Sequence, residues 1–149
     1  MKILIDADAC PVTRIAAEIA KVYGKECILF CDTSHKIDID GATTVIVDTG
    51  ADSTDFALVN RANKGDICIT QDYGLASICL AKNAFVINQN GLEYTDENIV
   101  YLMETRHSAK KLRMSGIYLK GNKPRRKEDD IKFERSLKAL LQRCAENEE

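Results

Sequence analysis

Along the first two thirds of this chain, aspartates stand just after short apolar runs. Asp6 and Asp8 follow Ile3-Leu4-Ile5, Asp32 follows Cys27 to Cys31, and Asp48, Asp52 and Asp55 follow Thr44 to Val47. Asp72 follows Ile67 to Thr70, and Asn88 and Asn90 follow Phe85 to Ile87. If the runs are parallel strands of an open α/β sheet, these residues collect on the carboxyl edge, where such sheets bind ligands. Carboxylates gathered without partners repel one another, and a hard divalent cation removes that cost while gaining oxygen ligands. The set contains no His or Cys, so Mg²⁺ or Mn²⁺ is expected rather than Zn²⁺.

Helix capping competes with this reading, because the carboxyl end of each strand is also the approach to a helix. Asp48, Asp52 and Asp72 suit either role, and Asp55, in a first helical turn, suits the helix dipole. Asp6 is different. It sits directly on an apolar strand, before any helix start, and a buried carboxylate without partners is costly. Asp8, two residues on in extended chain, points the same way.

The elements that must position these groups are legible as alternating patterns. Ile3 to Ile5, Cys27 to Cys31, Thr44 to Val47, Ile67 to Thr70 and Phe85 to Ile87 read as five strands. Their nearly continuous apolar character signifies a sheet covered on both faces. Between them, Ile15, Ala16, Ile19, Ala20 and Tyr23 recur at helical spacing, with Pro11 in the first turn and Gly24 at the end. Ser53 is placed as the cap of a helix carrying Phe56 and Val59, Leu75, Ile78 and Cys79 mark another, and Thr95 caps a helix carrying Ile99, Leu102 and Met103. Phe133, Leu137, Leu140, Leu141 and Cys144 give a final amphipathic helix at about 129–145. The expected fold is one doubly wound, mostly parallel α/β domain over residues 1–149 with added C-terminal helices.

Composition agrees with a single globular domain of 149 residues: 45% of residues are hydrophobic and 30% charged, with a net charge of −2. No apolar stretch approaches the ~20 residues that span a bilayer, and the start, Met1-Lys2-Ile3-Leu4-Ile5-Asp6, has no leader pattern. A cytoplasmic protein is expected, with no membrane partner. The six cysteines show no Cys-x-x-Cys spacing and read as reduced thiols, those at 27, 31 and 68 inside the core. The near-zero net charge conceals a polarity. Residues 106–127 carry nine basic groups and no acid, leaving −11 on the rest. This segment begins as a helix with Lys110, Lys111 and Arg113 and continues as a loop to Lys123, Arg125, Arg126 and Lys127. Such a cationic tract suits the phosphates of a nucleic acid, and Tyr118 could add a stacking surface.

Four segments together are similar to the YaiI/YqxD family of bacterial proteins: Ile-Asp6-Ala-Asp8-Ala-Cys10-Pro11-Val, Gly50-Ala-Asp52-Ser-Thr-Asp55, Gly65-Asp66-Ile-Cys-Ile-Thr70-Gln-Asp72 and Tyr94-Thr95-Asp-Glu-Asn98-Ile. That family in turn resembles the PIN-like nucleases, near their NYN branch. The resemblance implies a doubly wound α/β fold whose acids bind Mg²⁺ or Mn²⁺ for phosphodiester hydrolysis, with RNA the favoured substrate. Carried over by position, it implies catalytic roles for Asp6, Asp8, Asp55 and Asp72, and metal ligation by Asp6, Asp55 and Asp72, with Asp52 as a substitute ligand. The NYN branch often has a second acid two residues beyond the last of these; here that position is Gly74.

Two other classes compete. Asp6-Ala-Asp8 after a first strand also resembles the haloacid-dehalogenase phosphatases, in which the first Asp is the nucleophile and the second the acid/base. The later acidic pair of those enzymes is missing, since Asp129-Asp130 belongs to a charged helix start. The other class is a nucleic-acid-binding module without catalysis. The two histidines, His35 and His107, stand apart and support no Ser/His/Asp triad.

Overall fold

The computed structural model describes residues 1–8, 10–34, 36–48, 53–116 and 124–147. Six strands form one sheet: β1 (Lys2–Asp6), β2 (Glu26–Asp32), β3 (Thr43–Val47), β4 (Ile67–Ile69), β5 (Phe85–Ile87) and β6 (Glu93–Tyr94), in the spatial order β3-β2-β1-β4-β5-β6. The first five are mutually parallel and β6 runs antiparallel to β5. The expected sheet is therefore short by one strand. Two residues are too few to show a period of two, but the Asn88-Gln-Asn-Gly91 cluster after β5 is a hairpin signal. Asn88 Oδ1 closes the turn by accepting from the backbone N–H groups of Asn90 and Leu92, both at 2.9 Å.

Alternation along the strands explains the layers. Ile3, Ile5, Cys27, Leu29, Ile67 and Ile69 face one core with α1 (Thr13–Val22) and α5 (Lys127–Asn147). Leu4, Ile28, Phe30, Cys68 and Val86 face the other, with α2 (Ser53–Arg61), α3 (Tyr73–Ala81) and α4 (Asp96–Met114). Ile3, Leu4 and Ile5 are wholly buried. Each such side chain contributes roughly 1.5–3 kcal/mol of burial, so β1 is the anchor of both layers. The β2–β3 connection holds no helix among its described residues, and its Ile37 and Ile39 pack on the α1 side instead.

Helix limits differ from the sequence reading in three places. Pro11 precedes α1, whose N-cap is Val12, so the helix begins at Thr13 rather than around the proline. Ser53 is the first helical residue of α2 and not its cap. The last helix is longer than expected at both ends, because Glu128, Asp129 and Asp130 suit its first turn. Thr95 is a cap as expected, with a reciprocal box: Asn98 N–H donates to Thr95 Oγ1 at 3.1 Å and Thr95 N–H to Asn98 Oδ1 at 2.8 Å.

Candidate functional site

The chain leaves β1 toward β2 by way of α1 on one face, and leaves β4 toward β5 by way of α3 on the other. Connections that diverge in this way open a crevice at the carboxyl ends of the two strands. Asp6 ends β1 at that point. Its Oδ2 accepts from the Thr70 hydroxyl, 2.9 Å away, just beyond the end of β4. Burial pushes the Asp6 carboxyl up to about 6; the Thr70 hydrogen bond lowers it, while the charges of Asp55, Asp8 and Asp72 raise it again.

Nothing in the pattern of residues singles out Thr70, although it is nearly inaccessible to solvent and central to the site. Its oxygen also accepts from Asp72 N–H at 3.0 Å, so its one proton is directed to Asp6. Asp72 itself is the N-cap of α3, accepting from Leu75 N–H at 3.1 Å through Oδ1. Capping and proximity to Asp6 thus coexist in one residue. Asp8 is held on the other side: Oδ1 accepts from Asp32 N–H at 3.2 Å and Oδ2 from the Thr54 hydroxyl of α2 at 3.1 Å. Asp6 and Asp8 share a cleft, yet Asp6 is tied toward β4 and Asp8 toward β2 and α2. A phosphatase-type acid/base would need Asp8 free to exchange a proton, and its oxygens are engaged in holding the fold.

Asp55 lies in the first turn of α2, close enough to raise the Asp6 carboxyl. Asp32 is part of a turn, accepting from Ser34 N–H at 2.8 Å, and Asp48 is exposed. Asp52, His35, Tyr118 and Lys123 lie outside the described residues. Among the described residues no three His, Cys, Asp or Glu side chains are grouped closely enough to hold a metal ion. The carboxylates are chemically suited to Mg²⁺ or Mn²⁺, and Mg²⁺ commonly takes only one or two carboxylates, completing its shell with water and substrate phosphate. The residues present therefore fit an open site of that kind and not a closed protein cage. Cys10 stands nearby, but burial raises its thiol, against smaller lowering contributions from Thr13 and Val12, which disfavours the thiolate a nucleophile would need.

The opposite wall is basic. A cleft of about 620 Å³ is bounded by Asp6, Asp8, Asp72 and Tyr73 on the sheet side and by Leu102, Arg106, Ala109 and Arg113 of α4 on the other. The Arg106 guanidinium lies over the Tyr73 ring at 6.0 Å from its centroid, and Tyr73 meets Tyr94 edge to face at 6.0 Å. Lys110 and His107 line a smaller groove, of about 320 Å³, beside the same helix. The expected basic set divides here. Lys110, Lys111 and Arg113 are exposed on α4. Arg125 is instead a clamp, donating to Asp130 Oδ1, Asn90 Oδ1 and the Gln89 carbonyl at 2.8 Å each, which joins the start of α5 to the β5–β6 turn. Arg126 and Lys127 are exposed beside it.

This chain belongs to the uncharacterised bacterial YaiI/YqxD family, whose description matches residues 4–143. It is 46% identical over 141 residues to a UPF0178 protein of Exiguobacterium sibiricum, covering 95% of this chain and 96% of the relative. A UPF0178 protein of Alkaliphilus oremlandii is 47% identical over 137 residues, covering 92% and 88% of the two chains. No solved structure matches the chain. No helix among the described residues is long and apolar enough to cross a membrane.

Proposed function

We propose that the cleft between the acid edge and α4 binds a phosphodiester, RNA by preference, and hydrolyses it with the help of Mg²⁺ or Mn²⁺ held at Asp6 together with Asp55 or Asp72. On this reading the protein is a PIN-like nuclease. The observation that carries it is Asp6, a largely buried carboxylate at the divergence of β1 and β4 that faces three other acids and, among the described residues, receives a single neutral donor. A structural carboxylate in such a place would be expected to have a cation, as buried charges are otherwise costly. When bound, the metal supplies a polarised phosphoryl oxygen and a water of lowered pKa. The chain supplies the rest. Thr70 fixes the Asp6 rotamer, Asp8 ties the end of β2 to α2, and Arg106 and Arg113 meet the phosphate from the opposite wall.

The test is cleavage of end-labelled RNA and DNA oligonucleotides in Mn²⁺ and Mg²⁺ by the wild type and by Asp6→Asn. Metal-dependent scission that falls at least ~100-fold in the variant is expected, from the size of a lost electrostatic contribution at a reacting centre. A wild type that cleaves nothing with either metal, or an Asp6→Asn protein as active as the wild type, overturns the reading. A second reading, a binding module without catalysis, is favoured by the hydrogen bonds that occupy both oxygens of Asp8 and Oδ1 of Asp72. It expects oligonucleotide binding that is unchanged in Asp6→Asn and no cleavage.

A further inference from the structure

Four polar or charged side chains are buried among the described residues, and two of them, Thr54 and Thr70, donate to acids of the cleft. Thr70 reaches Asp6 from the end of β4. Thr54 reaches Asp8 from α2, at a position where an apolar residue would serve the fold. It and Leu58 are the buried residues of α2, one turn apart on a single stripe, and Leu58 packs in the core with Leu4, Ile28 and Phe30. A valine at 54 would continue that stripe with the same branching at Cβ. What the threonine adds is a hydroxyl. Its one proton goes to Asp8 Oδ2 at 3.1 Å and not to a carbonyl of its own helix, the common partner of a helical threonine.

Asp8 is a fixed anchor for that bond, because its Oδ1 accepts from Asp32 N–H at the end of β2, 3.2 Å away. One carboxylate thus joins the end of β2 to the first turn of α2. Asp55 follows Thr54 directly, about 100° further around the helix, and its charge reaches Asp6. The rotation of α2 about its axis therefore decides where the Asp55 carboxylate stands. A turn of about 20° moves a group ~5 Å from the axis sideways by nearly ~2 Å, against the roughly 0.2 Å within which metal–ligand distances are held.

We infer that Thr54 is a positioning residue of the cation site: anchored on Asp8, its hydroxyl sets the rotation of α2 and so presents Asp55 toward Asp6. The inference rests on the cation reading of the acid edge and adds to it a task for Asp8, carried out through α2. Thr54 itself touches neither the ion nor the phosphate. Loss of a hydrogen bond that orients a metal ligand commonly weakens the metal roughly 10–100-fold.

The experiment is titration of the protein with Mn²⁺ at pH 7.5, the free ion counted by its EPR signal, with the metal-free melting temperature measured alongside. It is run with wild type, Asp6→Asn, Thr54→Val, Thr54→Ala and Thr54→Ser. Wild type is expected to bind Mn²⁺ and Asp6→Asn to lose most of the affinity. Thr54→Val and Thr54→Ala, which lack the hydroxyl but pack differently, are expected to bind at least ~10-fold more weakly than wild type, and Thr54→Ser, which keeps it, within ~3-fold. The serine variant gives up a buried methyl, so a residue that only packs would show its loss there and be indifferent to the hydroxyl. Valine and alanine variants that both bind within ~10-fold of wild type, or a serine variant as weak as the valine one, overturn the positioning role and leave the cation site standing. A wild type that binds no Mn²⁺, or an Asp6→Asn protein that binds it as tightly as wild type, overturns both.

Discussion

Two carboxylates at opposite edges of the same sheet show how differently one fold treats the same chemical group. Asp66, at the amino end of β4, is buried and fully partnered. It accepts from Lys2 N–H at 2.9 Å and Asn63 N–H at 2.8 Å, and its Oδ2 lies 3.0 Å from the Lys2 ammonium. Asp6, at the carboxyl end of β1, has among the described residues one hydroxyl donor and three acids around it. Asp66 belongs to the architecture, binding the entry of β1 to the turn before β4. Asp6 is left with a charge that the fold does not neutralise, and the cations nearest across the cleft, Arg106 and Arg113, make no ion pair among the described residues. Acidic charge without an ion-pair partner facing arginines without one is what a bound phosphate and its counter-cation would complete.

The comparison can be broken by substitution. The largest effect is expected from Asp66→Asn, which faces a lysine and two backbone donors with a weaker acceptor; a loss of about 3 kcal/mol in urea unfolding is expected, toward the lower end for a disrupted buried pair because Lys2 is partly exposed. Next comes Thr70→Val. It strands Asp72 N–H and removes the Thr70 donor to Asp6, with an expected cost of about 2 kcal/mol and a further rise in the Asp6 carboxyl pKa, read from its carboxyl-carbon NMR titration. The double change Arg106→Ala and Arg113→Ala leaves the melting temperature within a degree or so. It weakens oligonucleotide binding roughly tenfold at low salt and flattens the salt dependence by about two charges.

The last effect concerns pH and sharpens the contrast by its sign. With its carboxyl pushed up to about 6, Asp6 holds a proton more tightly in the native state than in the unfolded chain. Its contribution is therefore present below about pH 4 and lost as pH rises to about 6, with no further change above. Asp6→Asn is expected to flatten that interval and to melt a few degrees above wild type at pH 7, the opposite of Asp66→Asn. An Asp6→Asn protein that is less stable than wild type at pH 7 would mean that Asp6 is paired after all.

Much of the fold was legible because β1, β2 and β4 are apolar on both faces, and only a covered parallel sheet makes such runs stable. The two-residue β6 carries no periodicity, and its only signal is the turn cluster before it; α1 starts at Thr13 and not at Pro11, a limit that periodicity does not set. At the site, the convergence of Asp6, Asp8, Asp55 and Asp72 followed from strand ends alone. What each carboxylate does there did not. Asp8 as a tie between β2 and α2 and Thr70 as the donor to Asp6 depend on contacts between residues 24 to 64 positions apart, whereas the cap at Asp72, a contact three residues long, was one of the two roles its position allowed. The basic tract shows the same limit. Composition marked nine cations, but only the packing of α5 on the β5–β6 turn separates the clamp Arg125 from the exposed Arg126.

The most direct measurement is the melting temperature of wild type, Asp6→Asn and Asp66→Gln at pH 7.5, with and without millimolar Mn²⁺, since a ligand of the native state stabilises it in proportion to the logarithm of its saturation ratio. The account predicts that Mn²⁺ raises the midpoint of wild type and of Asp66→Gln by similar amounts and leaves Asp6→Asn where it was. A wild type indifferent to Mn²⁺, or an Asp6→Asn protein that responds as strongly as wild type, would contradict the claim that the carboxyl end of β1 is a cation site.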